Sequence, residues 1–206
     1  MPKMKRVKPM IKPLGCAILG HSPMRFSWGF DEKYPKCLQL KRVLRKQILC
    51  CLDQGVAGFH TVCDCGVGLY AAEIVAGIAK NNTSVRLICT IPYENQSVKW
   101  TPDLRKRYYK VLQECSDCHT VSVKKTSDCT DRAYSHIILS SDRVLAVYDP
   151  LSFRWDSVDI AMKLAVDRGM PLELIHPDTL ALSRPKPEQI TFCKPFTDFD
   201  ELLQIQ

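Results

Sequence analysis

Short runs of consecutive apolar residues alternate along the chain with longer segments in which apolar residues recur every three or four positions. Consecutive apolar residues are typical of strands buried on both faces, whereas the longer spacing is typical of helices with one buried face. The predicted strands are residues 14–19, 58–63, 85–91, 120–123, 143–148 and 171–175. The predicted helices are residues 36–53, 69–80, 103–115, 131–139 and 157–168.

This alternation of strands and helices indicates a parallel sheet with helices on both faces. We therefore predict an α/β fold: a single Rossmann-like, doubly wound and mostly parallel sheet over residues 14–176. Residues 1–13 are predicted to form a basic N-terminal arm. Residues 177–206 carry several prolines and are predicted to form an irregular C-terminal tail.

Doubly wound sheets bind ligands beyond the carboxyl ends of their strands, near the point where the strand order reverses. Three predicted loops follow such strand ends, at residues 20–28, 63–68 and 148–155. We expect these three loops to form the binding cleft.

The composition is that of an ordinary globular protein. The chain has 206 residues, of which 46% are hydrophobic and 25% are charged. These values exclude a disordered chain, a collagen-like fibre and a coiled coil. The sequence has no apolar stretch of about 18 residues that would span a membrane, and no apolar segment of the signal-peptide type follows the basic start. We therefore expect a cytoplasmic protein.

The net charge of +7 is concentrated at the N-terminus. Five basic residues lie in the first twelve positions, with no acidic residue before Asp31, and these are Lys3, Lys5, Arg6, Lys8 and Lys12. Such an arm is typical of a solvated terminus, and it also suits contact with nucleic acid. Nucleic acid is therefore kept as an alternative partner.

The chain has eleven cysteines, an odd number, which we interpret as reduced thiols. One group has metal-ligand types at short spacing, namely Cys115, Cys118, His119 and Cys129. Zinc takes such ligands in tetrahedral sites, but the usual second pair is incomplete. The alternative is that these cysteines are ordinary thiols that bind no metal, and this is our interpretation. We expect no metal and no cofactor.

Cysteine catalysis is a further alternative, because Cys63 and Cys65 precede a predicted helix N-terminus, where a thiol pKa falls. His60 lies three residues before Cys63, but Asp64 lies beside it and opposes thiolate formation. We therefore assign no catalytic residue on these grounds.

Three sequence blocks occur in an order that is familiar from a known family. Residues 19–23 (Leu-Gly-His-Ser-Pro) and 28–32 (Trp-Gly-Phe-Asp-Glu) are similar to "TGHRP…FGYDE". Residues 66–73 (GVGLYAAE) are similar to "GVDLWAAE", and residues 141–149 (SDRVLAVYD) to "SDRLIAVYD". Over residues 15–175 the chain resembles the YpsA-like family of the SLOG superfamily, which are bacterial, Rossmann-like relatives of the DprA/Smf and LOG proteins.

The resemblance implies a protein that binds a nucleotide-derived small molecule. The positions that match the family pattern are Gly20, His21, Gly66, Glu73, Tyr148 and Asp149. Gly66 opens a helix directly after a strand, where backbone N–H groups and the helix dipole suit a phosphate. Gly20 permits close backbone approach. Tight turns alone are the alternative explanation of both glycines.

Several departures from the family pattern predict an altered pocket. Ser22 stands where the family has an arginine, and Val62 where it has a glycine. The others are Asp64, Gly68 in place of an aspartate, Tyr134 and Leu139 in place of asparagine and aspartate, and Pro150 after Asp149. We therefore predict weakened or altered ligand binding, with no measurable stabilisation by common mononucleotides such as AMP or by ADP-ribose.

These features favour a non-enzymatic, ligand-sensing or regulatory protein. The first alternative is a nucleotide-processing hydrolase of the LOG type with Glu73 as general base, but the LOG-type "PGGxGTxxE" signature is absent from the sequence. The second alternative is a nucleic-acid-associated protein. The sequence leaves the identity of the ligand and the oligomeric state open.

Overall fold

Seven strands form one sheet in the computed structural model, which describes residues 13–152 and 154–192. The strands are β1 (Leu14–Gly20), β2 (Val56–Thr61), β3 (Arg86–Ile91), β4 (Asp117–Thr120), β5 (Arg143–Val147), β6 (Leu172–Ile175) and β7 (Leu182–Ser183). Their order is β4-β3-β2-β1-β5-β6-β7, and only β7 is antiparallel to its neighbour. The predicted α/β, doubly wound fold class is confirmed.

The strand order reverses between β1 and β5. The chain builds outward from β1 to β4, and then returns to place β5 on the other side of β1, with Gly20 opposite Val147. The carboxyl ends of β1 and β5 therefore meet at the centre of one edge of the sheet. This is where doubly wound sheets usually bind ligands.

In the described part of the chain, five helices cover the two faces of the sheet. They are α1 (Pro35–Asp53), α2 (Val67–Ala79), α3 (Pro102–Glu114), α4 (Cys129–Leu139) and α5 (Ser157–Asp167). One apolar core lies between the sheet and α1, α2 and α3, and the second lies between the sheet and α4 and α5. Three short 3-10 turns, at Pro23–Arg25, Pro150–Ser152 and Pro187–Gln189, complete the structure.

The helices follow from local features of the sequence, namely apolar spacing, capping side chains and glycines. In α1, the side chains of Leu40, Leu44 and Ile48 recur every four residues and are fully buried. Asp156 caps α5 by accepting hydrogen bonds from two backbone N–H groups of its first turn. Gly169 follows α5 with φ +64°, a left-handed conformation that glycine adopts without strain.

Most predicted boundaries lie within two residues of the observed ones, and two differ by more. β4 lies at Asp117–Thr120 and not at residues 120–123. All four of its residues are exposed at the edge of the sheet, so no apolar run marks it. The packed domain also extends beyond residue 176, because β7 pairs with β6 and Phe192 packs against the core. The basic arm and residues 193–206 lie outside the described residues.

Among the described residues, no helix is both long enough and apolar enough to cross a membrane.

Candidate functional site

A cleft of about 820 Å³ opens at the carboxyl edge of the sheet. Its walls come from the loop after β1, the loop after β2 and the start of α3. The lining residues include Ser22, Pro23, Met24, Phe30, Lys33, Cys65, Lys99, Trp100 and Arg107, together with Asp31, Glu32 and Asp103. Two of the three predicted loops therefore line one cleft.

A second cleft of about 410 Å³ adjoins the first, and the two share Lys99 and Trp100. Its remaining walls are formed by the loops after β3 and β4, including Tyr93, Lys124 and Lys125. The Lys125 ammonium lies 5.9 Å from the centre of the Tyr93 ring. We call the two clefts together the carboxyl-edge groove.

His21 follows β1 and is buried, with 1% of its surface exposed. Its ring packs against the Tyr148 ring at 5.1 Å, and neither ring nitrogen has a hydrogen-bond partner. The nearest carboxylate, that of Asp156, lies 4.0 Å from Nδ1. Burial, assisted by the positive charge of Arg25, lowers the pKa of His21 to about 4. The imidazole is therefore neutral at physiological pH.

The lowered pKa of His21 predicts a loss of stability on acidification. Below pH 6.5 the unfolded chain takes up a proton that the folded His21 takes up only near pH 4, so the free energy of unfolding falls as the pH falls through this range. Between pH 7 and pH 5 the loss is about 2 kcal/mol. Asp64 has the opposite effect on the free energy of unfolding, because its pKa is raised to about 6 in the folded protein.

Urea denaturation at pH 7 and pH 5 measures the effect. His21→Gln should lose about 2 kcal/mol less than the wild type between these two pH values. Lys46→Gln, which introduces the same side chain at an exposed position of α1, is the control and should lose as much stability as the wild type. A His21→Gln variant with the wild-type pH dependence would contradict the assignment.

Gly20 and Gly66 bring the loops after β1 and β2 together. A Cβ atom on Gly20 would lie 2.8 Å from the Val67 side chain, so the close approach at Gly20 is made by the first residue of α2. Gly66 has φ +93°, and a Cβ atom there would lie 3.0 Å from Pro23 and 3.4 Å from the backbone oxygen of His21. His21 and Gly66 are therefore neighbours on the same edge of the sheet.

Three of the departures from the family pattern contact one another. The Tyr134 hydroxyl donates a 2.7 Å hydrogen bond to Oδ2 of Asp64. A Cβ atom on Gly68 would lie 2.1 Å from Oδ1 of the same carboxylate. Asp64 thus fills the space that a side chain at position 68 would need. Its burial raises its pKa to about 6.

Glu73 does not face the groove as an unpaired carboxylate. Its two oxygens accept hydrogen bonds from Nε and a terminal nitrogen of Arg107, at 2.6 and 2.8 Å. Arg107 also donates to Glu32 at 2.7 Å, and Glu32 in turn pairs with Lys41. Glu73 therefore joins α2 to α3 in a four-residue ionic network.

Tyr148 and Asp149 lie apart from the groove. The Tyr148 hydroxyl donates to the fully buried Asp159 at 2.7 Å. Asp149 accepts hydrogen bonds from the backbone of Leu151 and the hydroxyl of Ser152. The loop after β5 lines a separate cleft of about 300 Å³. The structure therefore does not gather the six predicted site residues around one opening.

Cys65, which lines the groove, has a pKa unsuited to catalysis. Burial and the neighbouring Asp64 raise the pKa of Cys65 to about 12, so its thiol is protonated at neutral pH. Cys115 and Cys129 donate hydrogen bonds to backbone oxygens of their own turns. Within the described part of the chain, no three side chains of the metal-ligand types are arranged to hold a metal ion.

Sequence reasoning missed the lysines of the groove and the partner of Glu73. Lys99, Lys124 and Lys125 lie in segments without apolar periodicity, and Arg107 lies on the polar side of α3. Lysines close to Tyr93 and Trp100 in loops after strands were the available signal. The loop after β3 also borders this edge of the sheet, since Tyr93 and Gln96 line a small cleft together with Ser22 and Cys65.

The chain matches one family model and is similar in sequence to several bacterial proteins. The family model named YpsA, described as the YspA SLOG family, matches residues 16–180. A UPF0398 protein of Halalkalibacterium halodurans is 23% identical over 122 residues, which cover 58% of this chain and 65% of the relative, slightly less than two thirds of its length. A UPF0398 protein of Bacillus thuringiensis is 26% identical over 136 residues, which cover 65% of this chain and 73% of the relative.

A solved structure shares the fold. DNA processing protein A from Helicobacter pylori, whose single-stranded DNA binding mode has been described, aligns with a TM-score of 0.51 and 16% identity. The alignment covers 93% of this chain and 72% of that protein. At this identity the likeness concerns the fold alone.

Proposed function

This chain belongs to the YspA SLOG family, and we propose that it is a non-enzymatic protein that binds a nucleotide-derived ligand in the carboxyl-edge groove. The observation that carries the proposal is the division of this groove into two chemically different parts. One part is large and lined by aromatic and apolar side chains, and the other is lined by lysines. A nucleotide has the same two parts, a flat base and an anionic phosphate.

The larger cleft suits the base and sugar. Phe30 is 57% exposed at its wall, and Trp100 lies at its junction with the second cleft. Base–aromatic stacking contributes about 1–3 kcal/mol per base. The charged residues of this cleft balance, since Lys33, Lys99 and Arg107 face Asp31, Glu32 and Asp103. This cleft therefore has no strong preference for an anion.

The second cleft suits the phosphates. Its three charged residues, Lys99, Lys124 and Lys125, are all positive. Lysine ammonium groups bind phosphate as point charges. A ligand that places its base beside Trp100 would extend its phosphates toward these lysines.

The Asp64 carboxylate favours a phosphate position away from Gly66, in the lysine-lined cleft. The carboxylate lies beside the first turn of α2, close to where the family resemblance implies a phosphate at Gly66. With a pKa of about 6, it is ionised at neutral pH and repels an anion there. We therefore propose that common mononucleotides bind weakly, and that the ligand carries more than one phosphate group.

The ionic network disfavours the hydrolase alternative. A general base must be able to approach the proton that it removes to within hydrogen-bond distance. Both carboxylate oxygens of Glu73 are already engaged by Arg107. We therefore prefer ligand sensing to hydrolysis, and we place the protein in the cytoplasm, where such ligands occur.

Thermal denaturation with a ligand panel tests the proposal. AMP and ADP-ribose should shift the Tm by less than about 1 °C, whereas a nucleoside with several phosphates should raise it. At 100 times its Kd, a ligand adds about 2.7 kcal/mol, or roughly 5–10 °C for a chain of this length. Chromatography of the same mixtures should show no base release and no dephosphorylation.

Variants assign any shift to the groove. Lys124→Glu with Lys125→Glu should abolish the shift, and Trp100→Ala should reduce it. Lys163→Glu, at an exposed lysine of α5, is the matched control and should leave the shift unchanged. The proposal fails if no nucleotide in the panel raises the Tm, or if the groove variants respond as the wild type.

The lysine-lined cleft also favours a second candidate function, binding of single-stranded nucleic acid. Lysines beside Tyr93 and Trp100 match the combination of cations and aromatic rings that binds single strands. The structural neighbour binds single-stranded DNA. Anisotropy of a labelled oligonucleotide should then fall steeply with salt and respond to Lys124→Glu. If binding depends on residues 1–12 alone, the arm and not the groove is responsible.

A further inference from the structure

Four cysteines lie in a row from the surface to the centre of the sheet. They come from four places along the chain: Cys63 follows β2, Cys89 is in β3, Cys115 follows α3, and Cys118 is in β4. Cys63 and Cys89 are fully buried, Cys115 is partly buried and Cys118 is exposed. Nothing in the proposed ligand site uses these thiols, so the row calls for a separate explanation.

The buried end of the row is a close pair. The sulfur atoms of Cys63 and Cys89 are 3.0 Å apart, nearer than two unbonded sulfurs normally approach. A disulfide requires a sulfur separation of about 2.05 Å. Cys63 holds a left-handed backbone conformation, with φ +55°, which is uncommon for a residue other than glycine. A shift of about 1 Å would therefore bring the two sulfurs to bonding distance.

The other two cysteines connect this pair to the surface. Cys118 lies opposite Cys89 in the register of β3 and β4. The Cys115 thiol interacts with the Cys89 thiol and also with that of Cys118. Each thiol in the row therefore has the next one as a neighbour.

We propose that Cys63 and Cys89 are a redox-active dithiol, which hydrogen peroxide oxidises to a disulfide by way of Cys118 and Cys115. The Cys118 sulfur attacks the peroxide, breaks its O–O bond and becomes a sulfenic acid, and the leaving oxygen departs as water. Cys115 then attacks the sulfenic sulfur and releases a second water, forming the Cys115–Cys118 disulfide.

Two exchange steps move the disulfide inward. Cys89 attacks the Cys115 sulfur and frees Cys118, and Cys63 then attacks the Cys89 sulfur and frees Cys115. Each freed sulfur takes up the proton that the attacking thiol loses. In total, one peroxide and two thiols yield one disulfide and two waters.

The buried pair can be oxidised only through Cys118, because Cys118 is the exposed thiol of the row. An oxidant in solution does not reach Cys63 or Cys89 directly, because both are fully buried. Burial and neighbouring thiols raise the pKa values of Cys89, Cys115 and Cys118. The reaction is therefore expected to be slow at neutral pH and about tenfold faster per pH unit.

Disulfide mapping tests the proposal on the full chain. The reduced protein is treated with hydrogen peroxide, its remaining thiols are alkylated, and a non-reducing digest is analysed by mass spectrometry. The expected product is the Cys63–Cys89 linked peptide, with Cys115 and Cys118 alkylated. Absence of this peptide at full peroxide consumption would overturn the proposal, as would a zinc ion bound to the four thiols in native mass spectrometry.

Variants test the route. Cys118→Ser should slow formation of the Cys63–Cys89 disulfide at least tenfold, and Cys89→Ala should trap the Cys115–Cys118 disulfide. Cys37→Ser, at a buried cysteine outside the row, is the matched control and should not change the rate. Circular dichroism checks that each variant is folded. A Cys118→Ser variant that is oxidised at the wild-type rate would overturn the route from the surface.

Discussion

Replacing Gly68 by alanine should lower the free energy of unfolding by about 3 kcal/mol, the cost of overpacking and of a lost buried hydrogen bond together. The added Cβ atom would lie 2.1 Å from Oδ1 of Asp64. Asp64 cannot yield freely, because its other oxygen accepts the hydrogen bond of the buried Tyr134 hydroxyl. Replacing glycine by alanine in a helix normally stabilises a protein, so a destabilising Gly68→Ala would indicate the clash with Asp64.

The same substitution should change sign when the carboxylate is absent. In an Asp64→Ala background the nearest remaining atom is Oγ1 of Thr61, 3.3 Å from the added Cβ, so most of the clash is removed and Gly68→Ala should stabilise the protein by up to about 0.5 kcal/mol through helix propensity. Urea denaturation of the wild type, both single variants and the double variant gives the coupling energy. A destabilisation by Gly68→Ala that is equal in both backgrounds would show that Asp64 is not the obstacle.

Asp159→Ala should cost about 3–4 kcal/mol, because three donors lose their acceptor inside the protein. Asp159 is fully buried and accepts hydrogen bonds from the Tyr148 hydroxyl at 2.7 Å and from the backbone N–H groups of Arg154 and Asp156 at 2.6 and 3.1 Å. These bonds join the end of β5 to the start of α5. They also hold the Tyr148 ring against His21.

Two further variants serve as references for the stability cost of Asp159→Ala. Tyr148→Phe removes one of the three hydrogen bonds and should cost about 1 kcal/mol. Asp167→Ala, the same substitution at the exposed end of α5, removes only the ion pair with Lys163 and should change stability by less than about 0.5 kcal/mol. An Asp159→Ala variant as stable as Asp167→Ala would contradict the role given to the buried carboxylate.

The fold was predictable because its strands and helices carry their own signals. The β1 and β5 runs are apolar on both faces, and α1 repeats its apolar residues with helical spacing. The edge strand β4 and the short β7 were missed because their residues are exposed, and exposed strands show no apolar pattern. Their positions follow from hydrogen bonds to β3 and β6.

The candidate site was predictable only in outline. The loops after β1 and β2 were correctly expected at one edge, and His21 and Gly66 are neighbours there. Glu73 matches the family pattern, but its engagement by Arg107 depends on the packing of α2 against α3, 34 residues apart in the chain. The lysines of the groove come from loops after two further strands.

By itself the sequence determined the order of strands and helices, the parallel sheet and the family, because hydrophobic spacing and short motifs are local properties of the chain. Only the tertiary structure decided what each polar group faces. Asp64 meets Tyr134, Cys63 meets Cys89 and His21 is sealed beneath Tyr148 through contacts between residues far apart in the chain. Burial and charge pairing arise from such contacts, and they set the pKa values and the chemistry of the side chains.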